Sequence, residues 1–141
     1  MDKIVFNIKI NNHLAIDGID FSDSIFIMPI INDDDIVARE FDGDALMVLS
    51  EWEKSTNGSG NYLLFTSLIG VADEGGWKLC AVVHNKNIIS IKIPYQDQSL
   101  DFNFEKSKFI ESVMDTAQRV KHLLLQNDAL HVEPINIVFP E

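Results

Sequence analysis

Trp77-Lys78-Leu79-Cys80-Ala81-Val82-Val83-His84-Asn85-Lys86-Asn87-Ile88-Ile89-Ser90-Ile91-Lys92-Ile93 is the stretch that decides the fold. Trp77, Leu79, Ala81 and Val83 alternate with Lys78, Cys80, Val82 and His84, which is the period of two expected of a strand with two distinct faces. Asn85-Lys86-Asn87 supplies residues suited to positive φ, after which Ile89, Ile91 and Ile93 return to one face. Two such runs joined by so short a turn predict an antiparallel hairpin.

Working outward, Tyr62 to Ile69 is almost wholly apolar and predicts a strand covered on both faces. Ile4, Phe6, Ile8 and Ile10 alternate with Val5, Asn7 and Lys9 and predict a first strand. Ile25 to Ile31 predicts a second, placed at a sheet edge by Pro29 and ended by Asn32-Asp33-Asp34-Asp35. Leu46, Leu49 and Glu53, with Met47, Val48 and Trp52, have the spacing of a short amphipathic helix. The Asp42-Gly43-Asp44 turn starts it and Asn57-Gly58-Ser59-Gly60 stops it.

Beyond Pro94 a polar loop is expected past Phe102 and Phe104. A helix then runs from about Ser107 to Gln126, with Phe109, Val113, Ala117, Val120 and Leu124 on one side. Ile135-Asn136-Ile137-Val138-Phe139 is a last β-like run, able to add an edge strand or lie over the core. The expectation is one α+β domain over residues 1–141: a mostly antiparallel sheet packed by the C-terminal amphipathic helix, with the short acidic helix on its rim.

Charge is distributed unevenly. The chain holds 22 acidic and 11 basic residues, a formal charge of −11. Residues 17–53 contain eleven of the acids (Asp17, Asp20, Asp23, Asp33, Asp34, Asp35, Glu40, Asp42, Asp44, Glu51 and Glu53) and a single base, Arg39. The remaining 104 positions are nearly balanced. So acidic a chain would repel a phosphate backbone, which argues against nucleic acid as a partner. No apolar run approaches the ~18 residues of a membrane helix, and no signal-peptide pattern opens the sequence. The single cysteine, Cys80, cannot form an internal disulfide, and the chain is expected to be cytoplasmic.

Catalytic patterns are hard to find. Asp33-Asp34-Asp35-Ile36-Val37-Ala38 departs from an EF-hand loop at its fifth and sixth positions, and Asp42-Gly43-Asp44 continues into Ala45-Leu46, so neither carries a calcium pattern. His13, His84, His122 and His131 are scattered and are read as structural. Cys80 and His84 share a strand face but lie ~13 Å apart at strand rise, too far for a nucleophile and its base. Gly58, Gly60, Gly70, Gly75 and Gly76 form no phosphate loop. No enzyme activity, metal or cofactor is therefore expected. A small hydrolase or metal-dependent enzyme using acidic loop residues is the alternative from another class, and a module that oligomerises through a sheet edge is a third.

Two resemblances add to this reading. Leu64-Phe65-Thr66, Gly70-Val71-Ala72, Val83-His84 and Ile89-Ser90-Ile91 resemble a pattern in a family of small bacterial proteins, where a strand runs into a cysteine knuckle, a hairpin and a helix. Ser67, Ile69 and Glu74 stand where that knuckle has cysteines, so no metal or disulfide role carries over. In size, acidity and lack of cysteine the chain also resembles bacterial toxin-immunity proteins, including those of contact-dependent inhibition systems. That resemblance implies a basic protein partner, a cognate toxin such as a nuclease, blocked by electrostatic complementarity. Asp33, Asp34, Asp35, Asp42, Asp44 and Glu51 are then the expected charged contacts and Trp52 the apolar anchor. Carboxylates that merely keep a small domain soluble are the plainer reading of the same residues.

Overall fold

The computed structural model describes residues 1–10, 25–33, 45–67, 76–95 and 97–126. In chain order these form β1 (Ile4–Ile10), β2 (Ile25–Ile31), α1 (Ala45–Ser55), β3 (Gly60–Ser67), β4 (Gly76–Asn85), β5 (Ile88–Tyr95), β6 (Gln98–Glu105) and α2 (Lys106–Gln126). The fold is α+β, with two antiparallel sheets: the pair β1-β2 and the meander β3-β4-β5-β6.

The 77–93 hairpin forms as β4 and β5, with Asn85 opposite Ile88 and a two-residue turn between them. The left-handed position falls on Lys86 (φ 55°) and on neither flanking asparagine. Cys80, Val82, Ile89, Ile91 and Ile93 face inward and are buried, whereas Leu79 and Val83 lie on the open face.

The polar loop expected after Pro94 is in fact strand β6. Ser99, Asp101, Asn103 and Glu105 sit on the solvent side, while Leu100, Phe102 and Phe104 turn toward the core. The alternation was present in the sequence. Its outward half is made of residues with poor strand propensity, which disguised a strand with one wet face.

In β3 the pairing shifts register between Leu63 and Phe65, so that Leu64 is an extra residue. This bulge explains why the adjacent Leu64 and Phe65 are both fully buried, which a regular strand facing a single core would not allow. Within β2 the register places Pro29 opposite Phe6. The neighbouring Lys3–Asn32 pair is hydrogen-bonded, because the Asn32 amide donates to the Lys3 carbonyl at 2.9 Å. Alternation then puts Pro29 in a pair that exchanges no ladder bond, so its missing N–H costs the β1-β2 pairing nothing.

The two sheets share one apolar core, and among the described residues Asp2 joins them by hydrogen bonds. The Asp2 amide donates to the Asn103 carbonyl at 2.9 Å, and the Asn103 amide donates to Asp2 Oδ2 at 2.7 Å. Asp2 Oδ1 accepts from Asn32 Nδ2 at 2.9 Å, and Asn32 Oδ1 accepts the Lys3 amide at 2.9 Å. Asp2 thus clasps β6 to the end of the β1-β2 hairpin. The bonds also hold Asn32 at φ 54°, a conformation that asparagine tolerates better than most residues.

Helix α2 begins directly after β6 and buries Phe109, Val113, Thr116, Ala117, Val120 and Leu124. These include all five positions expected from the periodicity. Its Ser112 Oγ donates to the Ile4 carbonyl at 2.9 Å, and Arg119 donates to the Phe6 carbonyl at 3.1 Å. Side chains of α2 therefore cover the first part of the β1 edge. Helix α1 guards β3 in the same way, through Glu51 and Trp52. Among the described residues no helix is long and apolar enough to cross a membrane.

Candidate functional site

Of the seven residues expected to meet a partner, Asp34, Asp35, Asp42 and Asp44 lie outside the described residues. The structure places Asp33, Glu51 and Trp52, each in a different setting.

Asp33 is exposed at the turn that leaves β2, in the left-handed region at φ 62°. It follows Asn32 in the same conformation, so the sheet ends on two residues whose short polar side chains tolerate that backbone. An exposed carboxylate here is compatible with a contact role.

Glu51 is half-buried, with both oxygens engaged. Oε1 accepts the Leu63 amide at 3.0 Å and Oε2 accepts from Lys54 Nζ at 3.1 Å. The Leu63 amide belongs to the bulged edge of β3, so this carboxylate satisfies a donor of the strand edge. Its first task is structural, and little of its charge is left for a partner.

Trp52 corrects the expectation of an apolar anchor. Its side chain is fully buried, so it presents no surface for docking. The ring meets Phe6 edge-on at 5.0 Å, Phe65 edge-on at 5.4 Å and Phe109 at 6.0 Å, joining β1, β3 and α2. Its Nε1–H donates to the Leu64 carbonyl at 2.8 Å, satisfying the bulged residue. The reason lies in the helix pattern. Val48, Leu49 and Trp52 form one apolar stripe, and all three are buried. The acidic helix accordingly packs into the core and does not sit on a rim.

Glu53 is a further buried carboxylate on α1, only 9% exposed. Its Oε2 has no hydrogen-bond partner among the described residues. Burial pushes its pKa up from the ordinary 4.5. Because the folded state holds this proton more tightly than the unfolded chain, Glu53 favours folding fully below pH 4.5. That contribution is lost as the pH rises through the raised folded value. Glu53→Gln is therefore expected to match the parent protein in strongly acidic solution and to be the more stable of the two at neutral pH. Urea unfolding of both proteins across the pH range checks this, and a difference independent of pH would refute it.

The end of α1 also gives His84 its place. Its Nε2 lies 2.7 Å from the Ser55 carbonyl, and because a carbonyl only accepts, the ring nitrogen is the donor. Ser55 Oγ and Thr56 Oγ1 donate to the Trp52 and Glu53 carbonyls. Together they close the orphan carbonyls of a helix terminus, a structural role for this histidine. Cys80 is buried.

Among the described residues no group of three or more His, Cys, Asp or Glu side chains is arranged to hold a metal. The chain matches no family model, no curated protein and no solved structure.

Proposed function

We propose that the chain is an acidic binding protein that docks on a basic protein partner, as a bacterial immunity protein docks on a cationic toxin such as a nuclease. The observation that carries this reading is the segregation of charge within residues 17–53. Glu51 and Glu53 are absorbed by the fold. The nine acids from Asp17 to Asp44, opposed only by Arg39, supply the field.

Those nine fall in two stretches that join opposite ends of β2, which begins at Ile25 and finishes at Ile31. At strand rise the two ends are about 20 Å apart. A standard interface covers ~800 Å² on each partner, a patch roughly 30 Å across, so a single basic surface can address both stretches.

Replacing Asp33, Asp34 and Asp35 together with asparagine is expected to slow association with the partner about tenfold at low salt and to flatten its salt dependence. Asparagine suits the left-handed backbone at position 33, so the turn survives the change. Stopped-flow association at several ionic strengths provides the measurement. Unchanged rates and an unchanged salt slope would remove these carboxylates from the interface.

A further inference from the structure

We propose that Asn57-Gly58, in the turn between α1 and β3, is a site of spontaneous modification, where the asparagine amide is lost through a cyclic imide and replaced by aspartate or isoaspartate. The inference does not depend on the toxin reading. It rests on the sequence of the turn, on its exposure and on the hydrogen bonds that pin it.

Asn57 is the only asparagine in the chain that is followed by glycine. Ring closure brings the next backbone nitrogen onto the asparagine Cγ. A side chain on that next residue hinders the approach, whereas glycine has no Cβ and adopts the required backbone angles readily. The fold leaves this pair outside helix and strand, since α1 ends at Ser55 and β3 begins at Gly60. Asn61 and Asn103, by contrast, lie within β3 and β6, where the paired backbone resists the rotation that closure needs.

The Asn57 side chain is exposed, so solvent base and water reach it. A methyl group placed on Gly58 would meet no atom of the described residues within 4 Å, and the Gly58 φ lies outside the left-handed region. Neither space nor backbone conformation demands glycine here. The residue can therefore be changed to test the chemistry while the turn is kept.

In the reaction, the Gly58 nitrogen gives its proton to solvent base and attacks Asn57 Cγ. As the N–Cγ bond forms, the Cγ–Nδ2 bond breaks, and Nδ2 takes up a proton and leaves as ammonia. Water then opens the imide. Addition at Cγ restores the ordinary chain with an aspartate side chain, and addition at the main-chain carbonyl carbon leaves the chain running through Cγ as isoaspartate. The sum is amide plus water to acid plus ammonia, with no change of oxidation state.

Either product sets a new carboxylate just past the C-terminus of α1, the end where a helix already carries partial negative charge. Isoaspartate also inserts one methylene carbon into the backbone, in a turn whose successive residues are tied down. The Asn57 amide donates to the Lys54 carbonyl at 3.0 Å, the Tyr62 hydroxyl donates to the Gly58 carbonyl at 2.8 Å, and the His84 amide donates to Ser59 Oγ at 2.8 Å. These bonds fix the turn to α1, β3 and β4. A longer backbone cannot satisfy all of them, so the link to His84 loosens.

Incubation of the full-length chain at mildly alkaline pH, followed by peptide mass spectrometry with fragmentation to place each change, tests the proposal. Position 57 is expected to gain the mass of amide-to-acid exchange, as two separable isomers, at least about tenfold faster than any other asparagine, and Gly58→Ala is expected to slow it at least about tenfold. An unchanged urea midpoint shows that this variant keeps the fold. The same incubation in denaturing urea supplies the rate for the unfolded chain, which the folded protein is expected to approach. Suppression by folding of about tenfold or more would overturn the proposal, as would equal rates in the parent and Gly58→Ala. In the isoaspartate fraction the His84 amide is expected to exchange at least about tenfold faster than in fresh protein, while the Ile91 amide of the core hairpin stays slow. A His84 amide as protected as before would overturn the loosening of the turn.

Discussion

Trp52→Ala is expected to lower the free energy of unfolding by about 3–5 kcal/mol, against a total of roughly 5–15 kcal/mol for a domain of this kind. The indole is fully buried and contacts rings from β1, β3 and α2, so its removal opens a cavity where these elements meet. It also strips the Leu64 carbonyl of its 2.8 Å partner at the bulge. Trp52→Phe separates the two effects. A ring is retained while the N–H is lost, and leaving that buried carbonyl unpaired is expected to cost about 1–3 kcal/mol. Urea unfolding gives both values through the midpoint and slope. A surface anchor would behave otherwise, with Trp52→Ala changing stability by less than about 0.5 kcal/mol.

The second large effect is expected at Asp2. Its carboxylate accepts one bond from Asn32 and one from the Asn103 amide, and no other carboxylate among the described residues joins the two sheets. Hydrogen bonds to a charged group contribute more than neutral ones, so Asp2→Ala is expected to cost about 2 kcal/mol. The loss should be local as well as global. The Asn103 amide should exchange faster in the variant, because its 2.7 Å acceptor is gone. An Asn103 amide as protected as before would mean that the sheets are held together elsewhere.

Much of the architecture was legible because it rests on periodicity. β1 and β2 have the bounds their apolar runs suggested, and the long helix turns inward every side chain its spacing selected. β6 escaped notice because half of its residues are polar and chosen for solvent. The Leu64 bulge escaped because an extra residue leaves a local run of buried side chains indistinguishable from a strand covered on both faces.

The site was less legible, for a different reason. Counting charge treats all carboxylates alike, whereas the fold divides them. Glu51 caps a strand amide, Glu53 is buried with one oxygen unpaired among the described residues, Asp2 joins two sheets, and Asp33 remains exposed. Trp52 was misplaced by its neighbourhood: adjacency to acidic residues suggested a surface, while the Val48-Leu49-Trp52 stripe already marked the buried side of the helix.

The central claim is that the acids between Asp17 and Asp44 meet lysines of a basic partner. Zero-length carboxylate-to-amine cross-linking of the chain to the protein it captures from its own cells, followed by peptide mass spectrometry, addresses that claim most directly. The account predicts links from Asp17, Asp20, Asp23, Asp33, Asp34, Asp35, Glu40, Asp42 or Asp44 to lysines of a protein rich in Lys and Arg. Links confined to Asp97, Asp101, Glu105 and Glu111 would contradict it and would place the interface on the far sheet and the start of α2.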